Sequence, residues 1–461
     1  MRYIPHTPQD IETMLRAVGV PTVDALFDII PEALRFQGAL DLSPPLAEAD
    51  LLQHLLQLGC LNQPQDRGSG MLVFAGAGVS SHAIPSAVNQ LAARSEFYTA
   101  YTPYQPELSQ GTLTTIFEFQ TMVAELLGMD VANASMYDGA TATAEGILMA
   151  RRLKRKKHRA VLAGSIHPDY VATCETYLSG LGEDEPLRRV GIADDGGVDL
   201  AALDAALDDS VAAVVVQTPS FLGVMQDLRP VCEAAHAAGA LVVAVTSEPL
   251  AFALAQPPGA VGADITVGEG IGLCSPPNMG GPGLGLFAAS GKKATRAMPG
   301  RLVGQTVDQD GKPGFVLTLS TREQHIRREK ATSNICTNHG LMALRFTIHL
   351  ALLGKTGLVE LARLNMAKAA HARDLLANLD GFAPRFDAPC FNEFALRVPG
   401  GDAGAVVQRA SARGVVPGVA MGRFDDRLRD TLLVSVTELH RREDIERLAH
   451  ELAEAAKEVI R

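Results

Sequence analysis

Between residues 71 and 290, short apolar runs alternate with stretches that have helical spacing. Apolar runs of four to eight residues bounded by turn signals are typical of strands buried on both faces. Strands that alternate with helices in this way favour a mostly parallel sheet with helices on both faces, so we predict an α/β fold. The candidate strands are residues 71–75, 160–163, 211–216, 240–245, 264–267 and 284–288, and the candidate helices are residues 112–127, 139–153, 168–179, 199–208 and 229–238.

The flanking segments have other patterns. Residues before 71 form short apolar stripes with helical spacing, and residues 62–70 read as a polar loop. After residue 356 we predict a helix, a strand, a helix, a strand and a final helix, which is an α+β pattern. The predicted organisation is a helical N-terminal arm (1–70), a large α/β domain (71–325), a bridging helix (326–356) and a small α+β C-terminal domain (357–461), the last with helices at 357–379, 402–413 and 441–460 and strands at 392–398 and 431–437.

Composition narrows the class of protein. The formal net charge of −11 argues against broad nucleic-acid binding. Pro5 and Pro8 stand where a signal peptide would need its apolar region, and no apolar run approaches the roughly 18–20 residues that span a bilayer. The six cysteines stand singly, without a CxxC pair, which indicates reduced thiols rather than disulfides or a zinc site. We expect a cytoplasmic protein without a metal site and without a membrane segment.

A glycine turn follows the first predicted strand in MLVFAGAGVSS. Gly76 and Gly78 resemble half of a dinucleotide-binding fingerprint, and Glu96 lies about twenty residues on, where a ribose-binding acid would stand. Ser81 replaces the third glycine, however, and Pro85 breaks the helix that should begin there. We therefore favour a turn in which glycine lets two backbone segments approach closely.

The segment YTAYTPYQPELSQG is dense in tyrosine and proline. Tyr98, Tyr101 and Tyr104 are spaced three apart, and two prolines forbid a regular helix. An extended segment of this kind presents phenol hydroxyls at fixed places, which suits recognition of a small polar ligand. The alternative is a packed surface loop with amphipathic rings. We favour the ligand-binding interpretation.

Two further motifs stand at the predicted ends of strands. In ANASMYDGATATAEG, Asp138 lies near the start of a helix of small residues, whose free amides suit an anion. An ordinary capped helix explains the same residues equally well. His167 follows the strand at 160–163, at the edge where ligands of open α/β sheets collect, although a structural histidine is the more common case.

A long glycine- and proline-rich loop joins the predicted strands 264–267 and 284–288, and loops of this length tend to mark sites. No lysine occurs between Lys157 and Lys292, so neither this loop nor the strand before it carries one. The absence matters because a lysine amine is what covalent carbonyl cofactors need.

Four strings together resemble one family: YTPYQPELSQG, ANAS…DGATATAEG, GADITVGEG…GGPGLG and TREQHIRREKATSNICTN. The chain is similar over its whole length to glycine dehydrogenase (decarboxylating), the P-protein of the glycine cleavage system, and most closely to subunit 1, the alpha subunit, of its two-subunit form. The resemblance implies a PLP-dependent transferase fold (fold type I, aspartate-aminotransferase-like). It also implies that glycine is decarboxylated, CO2 is released, and the aminomethyl group passes to the lipoyl arm of the H-protein.

In this family the cofactor-bearing subunit has a Schiff-base lysine after the strand equivalent to 264–267. That place falls at or next to Gly272 here. His167 matches a histidine that stacks on the cofactor ring, and Glu248 matches the acid that pairs with the pyridinium nitrogen. The resemblance therefore implies vestigial cofactor positions and no covalently bound cofactor on this chain.

The resemblance further implies partners. Pyridoxal phosphate (PLP) is expected on a beta subunit (subunit 2), with an α2β2 assembly that acts on glycine and the lipoylated H-protein. Our candidates for completing the partner's site are Tyr101 and Tyr104, which could bind intermediates, and Arg322 and Arg327, which could attract a carboxylate or the H-protein's acidic surface.

Two alternatives remain open. The chain could be a self-sufficient PLP enzyme that uses Lys292 or Lys293, which follow the strand at 284–288. It could instead be a scaffold that stabilises the partner and contributes nothing to the chemistry.

Overall fold

The computed structural model describes residues 5–62, 71–277 and 280–460. The chain divides into two compact units, Met1–Gln63 and Pro64–Arg461. The predicted polar loop lies outside the described residues except for Asn62. The strands are β1 (Leu72–Val73), β2 (Val131–Ala132), β3 (Arg159–Ala163), β4 (Leu187–Val190), β5 (Val211–Gln217), β6 (Leu241–Thr246), β7 (Ile265–Glu269), β8 (Gly285–Ala289), β9 (Leu302–Val307), β10 (Pro313–Thr318), β11 (Ala383–Pro384), β12 (Glu393–Arg397), β13 (Val415–Val416), β14 (Val419–Ala420) and β15 (Thr431–Ser435).

The helices follow the sequence expectation closely in the α/β region and near the C-terminus. Short 3-10 turns occupy several connections. The α-helices are α1 (Pro8–Val18), α2 (Glu48–Gly59), α3 (Ser86–Ala92), α4 (Ser95–Tyr98), α5 (Gln110–Leu127), α6 (Gly139–Leu153), α7 (Pro168–Ser179), α8 (Leu200–Ala206), α9 (Leu228–Ala237), α10 (Lys292–Ala297), α11 (Gln324–Arg327), α12 (Gly340–Ala377), α13 (Ala403–Ala412) and α14 (Arg442–Ile460).

The N-terminal unit is helical, as predicted. A capping box starts α1: the amide of Asp10 donates to Thr7 Oγ1 at 3.2 Å, and the amide of Thr7 donates to Asp10 Oδ2 at 2.8 Å. Gly19 ends the helix in the left-handed conformation, with φ of 84°. None of the described residues of this unit is buried, so its helices enclose no core of their own.

A seven-stranded central sheet forms the core of the second unit, in the order β2-β8-β7-β6-β5-β3-β4. The pairs β4–β3, β3–β5, β5–β6 and β6–β7 are parallel, whereas β8 runs antiparallel to β7 and to β2. All seven residues of β5 are buried, with alternate side chains in the hydrophobic clusters on the two faces. The predicted mostly parallel α/β sheet is confirmed.

The predicted strand at 71–75 does not belong to the central sheet. Only Leu72 and Val73 are extended, and they pair in parallel with Val415 and Val416. Phe74 explains the difference, because it is fully buried in the C-terminal hydrophobic cluster and stacks on His440 with ring centroids 4.3 Å apart. Residues 71–75 therefore pack with the C-terminal region, and the chain continues from there to the central sheet.

The predicted bridging helix at 326–356 is wrong in its bounds. Residues 319–339 contain only short helical turns, and α12 begins at Gly340. This helix continues through the separate helix predicted at 357–379, with one non-helical residue, Gly354, at φ 59°. The charged stretch before Gly340 lacks the apolar periodicity that would bury a helix, which explains the late start. The four-domain division itself stays a prediction.

Helix α12 has the length and composition of a membrane-spanning helix. Length and composition are weak evidence for a membrane span, because a core helix of a globular protein can have both. A third of the most apolar part of α12 is buried inside the protein. Its buried face packs against α5 and α3. We interpret α12 as a core helix.

The C-terminal region carries a four-stranded antiparallel sheet in the order β11-β12-β15-β14. Helices α13 and α14 pack on it. The apolar face of α14 is buried at Ile445, Leu448, Leu452, Ala455 and Ala456. The hairpin of β9 and β10 was not predicted, because most of its side chains are exposed or half-buried and give no core-like apolar run.

Candidate functional site

The vestigial positions implied by the sequence lie at the carboxyl edge of the parallel strands. His167 follows β3, Glu248 follows β6, and Gly272 follows β7. Open α/β sheets bind ligands at this edge. In this chain, one segment contacts all of these positions: residues 76–82 (GAGVSSH), here named the glycine segment.

His167 is held as a neutral, oriented ring. Its Nδ1 accepts from the amide of Asp169 at 3.1 Å at the start of α7, so Nε2 carries the proton and donates to the carbonyl of Ala77 at 3.0 Å. The ring stacks on Tyr170 with centroids 4.7 Å apart. Burial lowers the pKa of His167, in agreement with the neutral form. A Cβ at Gly78 would lie 2.5 Å from Nε2, so the glycine segment passes directly over this ring.

Glu248 is paired inside the chain. Its Oε2 lies 3.1 Å from His82 Nε2 and accepts from Asn392 Nδ2 at 2.8 Å. The other nitrogen of the fully buried His82 ring, Nδ1, lies 3.0 Å from Glu438 Oε2. Burial opposes a charge on His82, but the two carboxylates outweigh burial and raise its pKa to about 10. His82 is therefore an imidazolium held between two buried acids.

Glu393, the first residue of β12, anchors the start of the glycine segment. Its Oε1 accepts from the amide of Ala77 at 2.7 Å, and a Cβ at Gly76 would lie only 2.0 Å from the same oxygen. Burial raises the pKa of Glu393 to about 7, and the charge of Glu248 adds to the rise. The glycine turn does allow a close approach, but the groups that meet it are the side chains of Glu393 and His167 rather than the second backbone segment that the sequence predicted.

A carboxylate of the chain lies at the amino end of α6. Asp138 caps the helix by accepting from the amide of Thr141 at 2.7 Å. Glu269 Oε2 accepts from the amide of Gly139 at 3.0 Å, and Glu269 Oε1 accepts from the amides of Ile271 and Leu284 at 2.9 and 2.7 Å. Burial raises the pKa of Glu269 above its usual value, and the three amides offset part of that rise. Both interpretations of this motif hold in part, because the helix is capped and its anion is supplied by the chain.

The residues at this edge do not fit PLP. The resemblance puts the missing lysine at or next to Gly272, where an added Cβ would already lie 3.1 Å from the carbonyl oxygen of Ser80. The acid for the pyridinium nitrogen, Glu248, pairs with His82, and the backbone of Ala77 and Gly78 covers the His167 ring. No reaction step through PLP on this chain follows from this geometry.

Lys292 and Lys293 lie at the opposite edge of the sheet. They start α10, directly after β8, and both are exposed. Because β8 is antiparallel to β7, its end at Ala289 pairs with Ile265, the first residue of β7. A cofactor on either lysine would be at the amino edge of the parallel strands, away from His167 and Glu248.

A second group of residues, which includes the predicted Tyr104, gathers around Arg301. The Arg301 side chain is almost fully buried, and its Nη2 donates to Tyr104 Oη at 2.9 Å and to the carbonyl of Cys336 at 2.7 Å. Its Nη1 lies 3.3 Å from Glu323 Oε2, and its guanidinium lies 4.8 Å from the centroid of the Tyr104 ring. His325 packs edge-on to Tyr104 at 6.1 Å. We name Tyr104, Arg301, Glu323 and His325 the tyrosine–arginine cluster.

Arg322 adjoins this cluster and Arg327 does not. Arg322 Nη2 donates to the carbonyl of Gly300 at 2.9 Å. Its Nε and Nη1 are buried and have no hydrogen-bond partner among the described residues. Burial lowers the pKa of Arg322 to about 10, so the side chain stays cationic at neutral pH. Arg327 is exposed, and its Nε donates to the carbonyl of Thr321 in the preceding short turn.

Tyr101 lines a cavity of about 140 Å³ together with Tyr98 and residues at the start of α12. Next to it, the hydroxyls of Thr102 and Thr337 lie 2.9 Å apart. The tyrosine-rich segment and the SNICTN stretch, which were selected separately from the sequence, therefore pack against each other. Tyr101 itself is 77% exposed.

Sequence reasoning missed several residues of these two groups. The sequence signal was strongest for Glu269, since an acid that ends a wholly buried strand must have a partner. His82 and Arg301 had no comparable signal. The missed residues are His82, Glu269, Arg301, Glu323, Glu393 and Glu438.

The fold is that of PLP-dependent fold type I enzymes. Oryza sativa TDC, solved with PLP and tryptamine, superposes with a TM-score of 0.66 at 16% identity and covers all of both chains. That likeness concerns the fold alone. A crystal structure of glycine decarboxylase (P-protein) of the glycine cleavage system, in inhibitor-bound form, has a TM-score of 0.86 at 44% identity and covers 99% of this chain and 100% of that one.

Sequence comparison defines the family. Residues 1–452 match the family described as glycine cleavage system P-protein. A probable glycine dehydrogenase (decarboxylating) subunit 1 from Sorangium cellulosum is 51% identical over 98% of this chain and 99% of its own length. A protein of the same description from Xanthobacter autotrophicus is 51% identical over the full length of both chains. The chain belongs to the glycine cleavage system P-protein family.

Proposed function

We propose that this chain is one of the two kinds of subunit of a glycine dehydrogenase (decarboxylating), and that this subunit carries no cofactor. The full-length similarity to relatives described as subunit 1 is the observation that carries the proposal. In the complex, a beta subunit bears PLP, glycine loses CO2, and the aminomethyl group passes to the lipoyl arm of the H-protein. We propose an α2β2 assembly in the cytoplasm, and the six unpaired cysteines support a reducing compartment.

The geometry at the carboxyl edge supports this division of roles. Glu248 is paired with His82, and Gly272 offers no amine. A chain with these residues needs a partner to supply the cofactor.

The tyrosine–arginine cluster supports a direct contribution to the partner's site. Arginine recognises carboxylates through a fixed fork of donors, and glycine presents a carboxylate. Arg322 has two buried nitrogens without a partner among the described residues, and Arg301 holds the hydroxyl of Tyr104. We propose that Tyr101, Tyr104 and Arg322 bind glycine or its intermediates across the subunit interface, and that the exposed Arg327 attracts the acidic surface of the H-protein.

The test of the main proposal is reconstitution. We would purify this chain and the candidate beta subunit separately, and then compare each of them with their mixture. The measurements are visible aldimine absorbance and glycine decarboxylation. We expect absorbance in the beta subunit and in the mixture, and decarboxylation only in the mixture. Decarboxylation by the beta subunit alone, at the rate of the mixture, would contradict the proposal.

A second test separates site sharing from scaffolding. Tyr101→Phe and Tyr104→Phe are measured for glycine–bicarbonate exchange in the reconstituted complex. Thr99→Ala is a control in the same segment, because Thr99 is exposed and its hydroxyl donates to the carbonyl of Ser95. We expect exchange to fall at least about tenfold in the first two variants, in the range found for removed polar contacts at active sites. Unchanged exchange in fully assembled complexes would leave only the scaffold role.

Lys292→Ala addresses the self-sufficient alternative. Since Lys292 lies at the amino edge of the parallel strands, we expect this variant to match the unaltered chain in absorbance and in the activity of the complex. Loss of an aldimine band from the isolated chain would favour the alternative.

A further inference from the structure

We propose that this chain fills its own former cofactor pocket, with one internal group in the place of each part of PLP. The imidazolium of His82 replaces the pyridinium, the carboxylate of Glu269 replaces the phosphate, and the backbone of Ala77 and Gly78 replaces the ring over His167. The inference deepens the proposed function and rests on it, because it explains how the subunit folds without a cofactor.

The cation is supplied by His82. A pyridinium nitrogen donates one N–H to an acid, and the Nε2–H of His82 makes that same contact with Glu248 at 3.1 Å. A second acid, Glu438, lies 3.0 Å from Nδ1 and also accepts from the amide of Ala83. Protonation of both ring nitrogens thus satisfies two buried carboxylates at once.

The anion is supplied by Glu269. Helix amino ends bind phosphate because their free amides and dipole favour negative charge. Here the amide of Gly139, the first residue of α6, donates to Glu269, and the amides of Ile271 and Leu284 complete the set. All of these groups donate to carboxyl oxygens, so the ionised carboxylate makes the contacts best. A phosphate at this end of α6 would have to displace Glu269.

The backbone of the glycine segment covers the His167 ring. Gly78 has φ of 117°, and any Cβ there would collide with His167 Nε2. Gly76 approaches Glu393 so closely that a side chain would overlap its carboxyl group. Gly78 is needed because the segment passes directly over the His167 ring, and Gly76 is needed because the segment packs against Glu393.

The same segment ties the two sheets of this unit together. On the central-sheet side it contacts His167 and Glu248, and on the C-terminal side Ala77 donates to Glu393 and Ser80 contacts Ser435 at 3.3 Å. The segment therefore contributes the bridging contacts that a bound cofactor would otherwise make. We expect the isolated chain to be fully folded without PLP and to gain no thermal stability from it.

The first experiment restores the lysine. Gly272→Lys is mixed with the beta subunit and PLP, reduced with borohydride and mapped by mass spectrometry. We expect the pyridoxyl group on the beta subunit, which serves as the internal control, and none at position 272. Labelling at position 272 to the extent seen in the beta subunit would overturn the proposal.

The second experiment needs no gain of catalysis. Glu269→Ala frees the amino end of α6, so inorganic phosphate should raise its melting temperature by about 1–3 °C while leaving the unaltered chain unchanged. Glu145→Ala is the matched control, because Glu145 is a buried carboxylate on the same helix away from its amino end. A folded Glu269→Ala variant that does not respond to phosphate would contradict the assignment.

If a variant fails to fold, hydrogen exchange of the unaltered chain tests whether the pocket is filled. The amide of Ala77 is bonded to the buried carboxylate of Glu393, so its peptide should exchange as slowly as peptides from β6, with or without PLP. Rapid exchange, or slowing on addition of PLP, would show an open pocket. These measurements do not depend on decarboxylation, so failure of the proposed function would be seen separately in the reconstitution.

Discussion

The Nε2 atom of His82 lies 3.1 Å from Oε2 of Glu248, and both side chains are buried. The two residues are 166 positions apart, one in the glycine segment and one after β6. A buried ion pair of this kind is retained only with further hydrogen bonds, which Asn392 and Glu438 provide. The pair links the glycine segment to the central sheet.

Replacing His82 should destabilise the fold strongly. His82→Phe keeps a ring but leaves Glu248 and Glu438 buried without their cation, so we expect a loss of about 3–5 kcal/mol in the free energy of unfolding at pH 7. His349→Phe is the control, because His349 is also buried, its pKa is lowered mainly by burial, and its Nδ1 makes one hydrogen bond in the described part of the chain, to the carbonyl of Leu273. Urea unfolding measures both variants, and equal losses would contradict the ion-pair interpretation.

The effect of His82 should depend on pH in a known direction. Burial disfavours its charge, but Glu248 and Glu438 raise its pKa from 6.5 to about 10. The charged His82 side chain therefore makes its full contribution to the free energy of unfolding below pH 6.5. This contribution is lost as the pH rises through about 10. The difference in stability between the unaltered chain and His82→Phe should therefore shrink between pH 7 and pH 10.5.

Glu393→Gln should make stability less sensitive to pH. Burial raises the pKa of Glu393 from 4.5 to about 7, so the folded chain keeps a proton that the unfolded chain loses within this range. Stability should fall by on the order of 2–3 kcal/mol as the pH rises from 4.5 to 7. The glutamine keeps an oxygen for the Ala77 amide and removes the titration. Melting curves across this range test whether the slope decreases.

Gly78→Ala tests the close approach to His167. Placing a residue with a side chain at positive φ lowers the free energy of unfolding by about 1 kcal/mol. At Gly78 the new Cβ would also lie 2.5 Å from the His167 ring. Gly311→Ala isolates the backbone cost, because Gly311 has φ of 78° and no atom within 4 Å of the added Cβ. We expect Gly78→Ala to lose at least about 2 kcal/mol more than Gly311→Ala. Similar losses would mean that the segment moves away easily.

Arg301→Lys should impair the complex more than the fold. Lysine cannot contact Tyr104, Cys336 and Glu323 together as the guanidinium does. We expect kcat of the reconstituted complex to fall at least about tenfold, with little change in assembly. Arg327→Lys serves as the control on an exposed arginine. A purely structural role for Arg301 would instead lower the melting temperature and leave kcat unchanged.

The sequence predicted most of the central sheet and the edge at which His167, Glu248 and Gly272 meet. Strands such as β5 are apolar throughout, so they need no tertiary information to be found. The hairpin of β9 and β10 lacked that signal. The short strand β1 was assigned to the central sheet, although Phe74 packs in the C-terminal core.

The partners at the site could not be predicted for a different reason. His82 meets Glu438 across 356 positions, Ala77 meets Glu393 across 316, and Gly139 meets Glu269 across 130. No local periodicity encodes such contacts. The sequence could place His167, Glu248 and Gly272 at one edge, because the carboxyl ends of parallel strands always meet there, but not the segment that covers them.

Glu269 at the amino end of α6 has a consequence for how this chain can evolve. Restoring a lysine at position 272 would bring no cofactor while Glu269, His82 and the glycine segment keep their places. Each of these groups bonds to or packs against buried partners. Losing any one of them alone would leave an unpaired charge or a cavity before the chain gained the ability to bind a cofactor. On this account, the intermediates back to a cofactor-binding chain are all less stable than the present one. The division of roles between two subunits that we propose would therefore be hard to reverse.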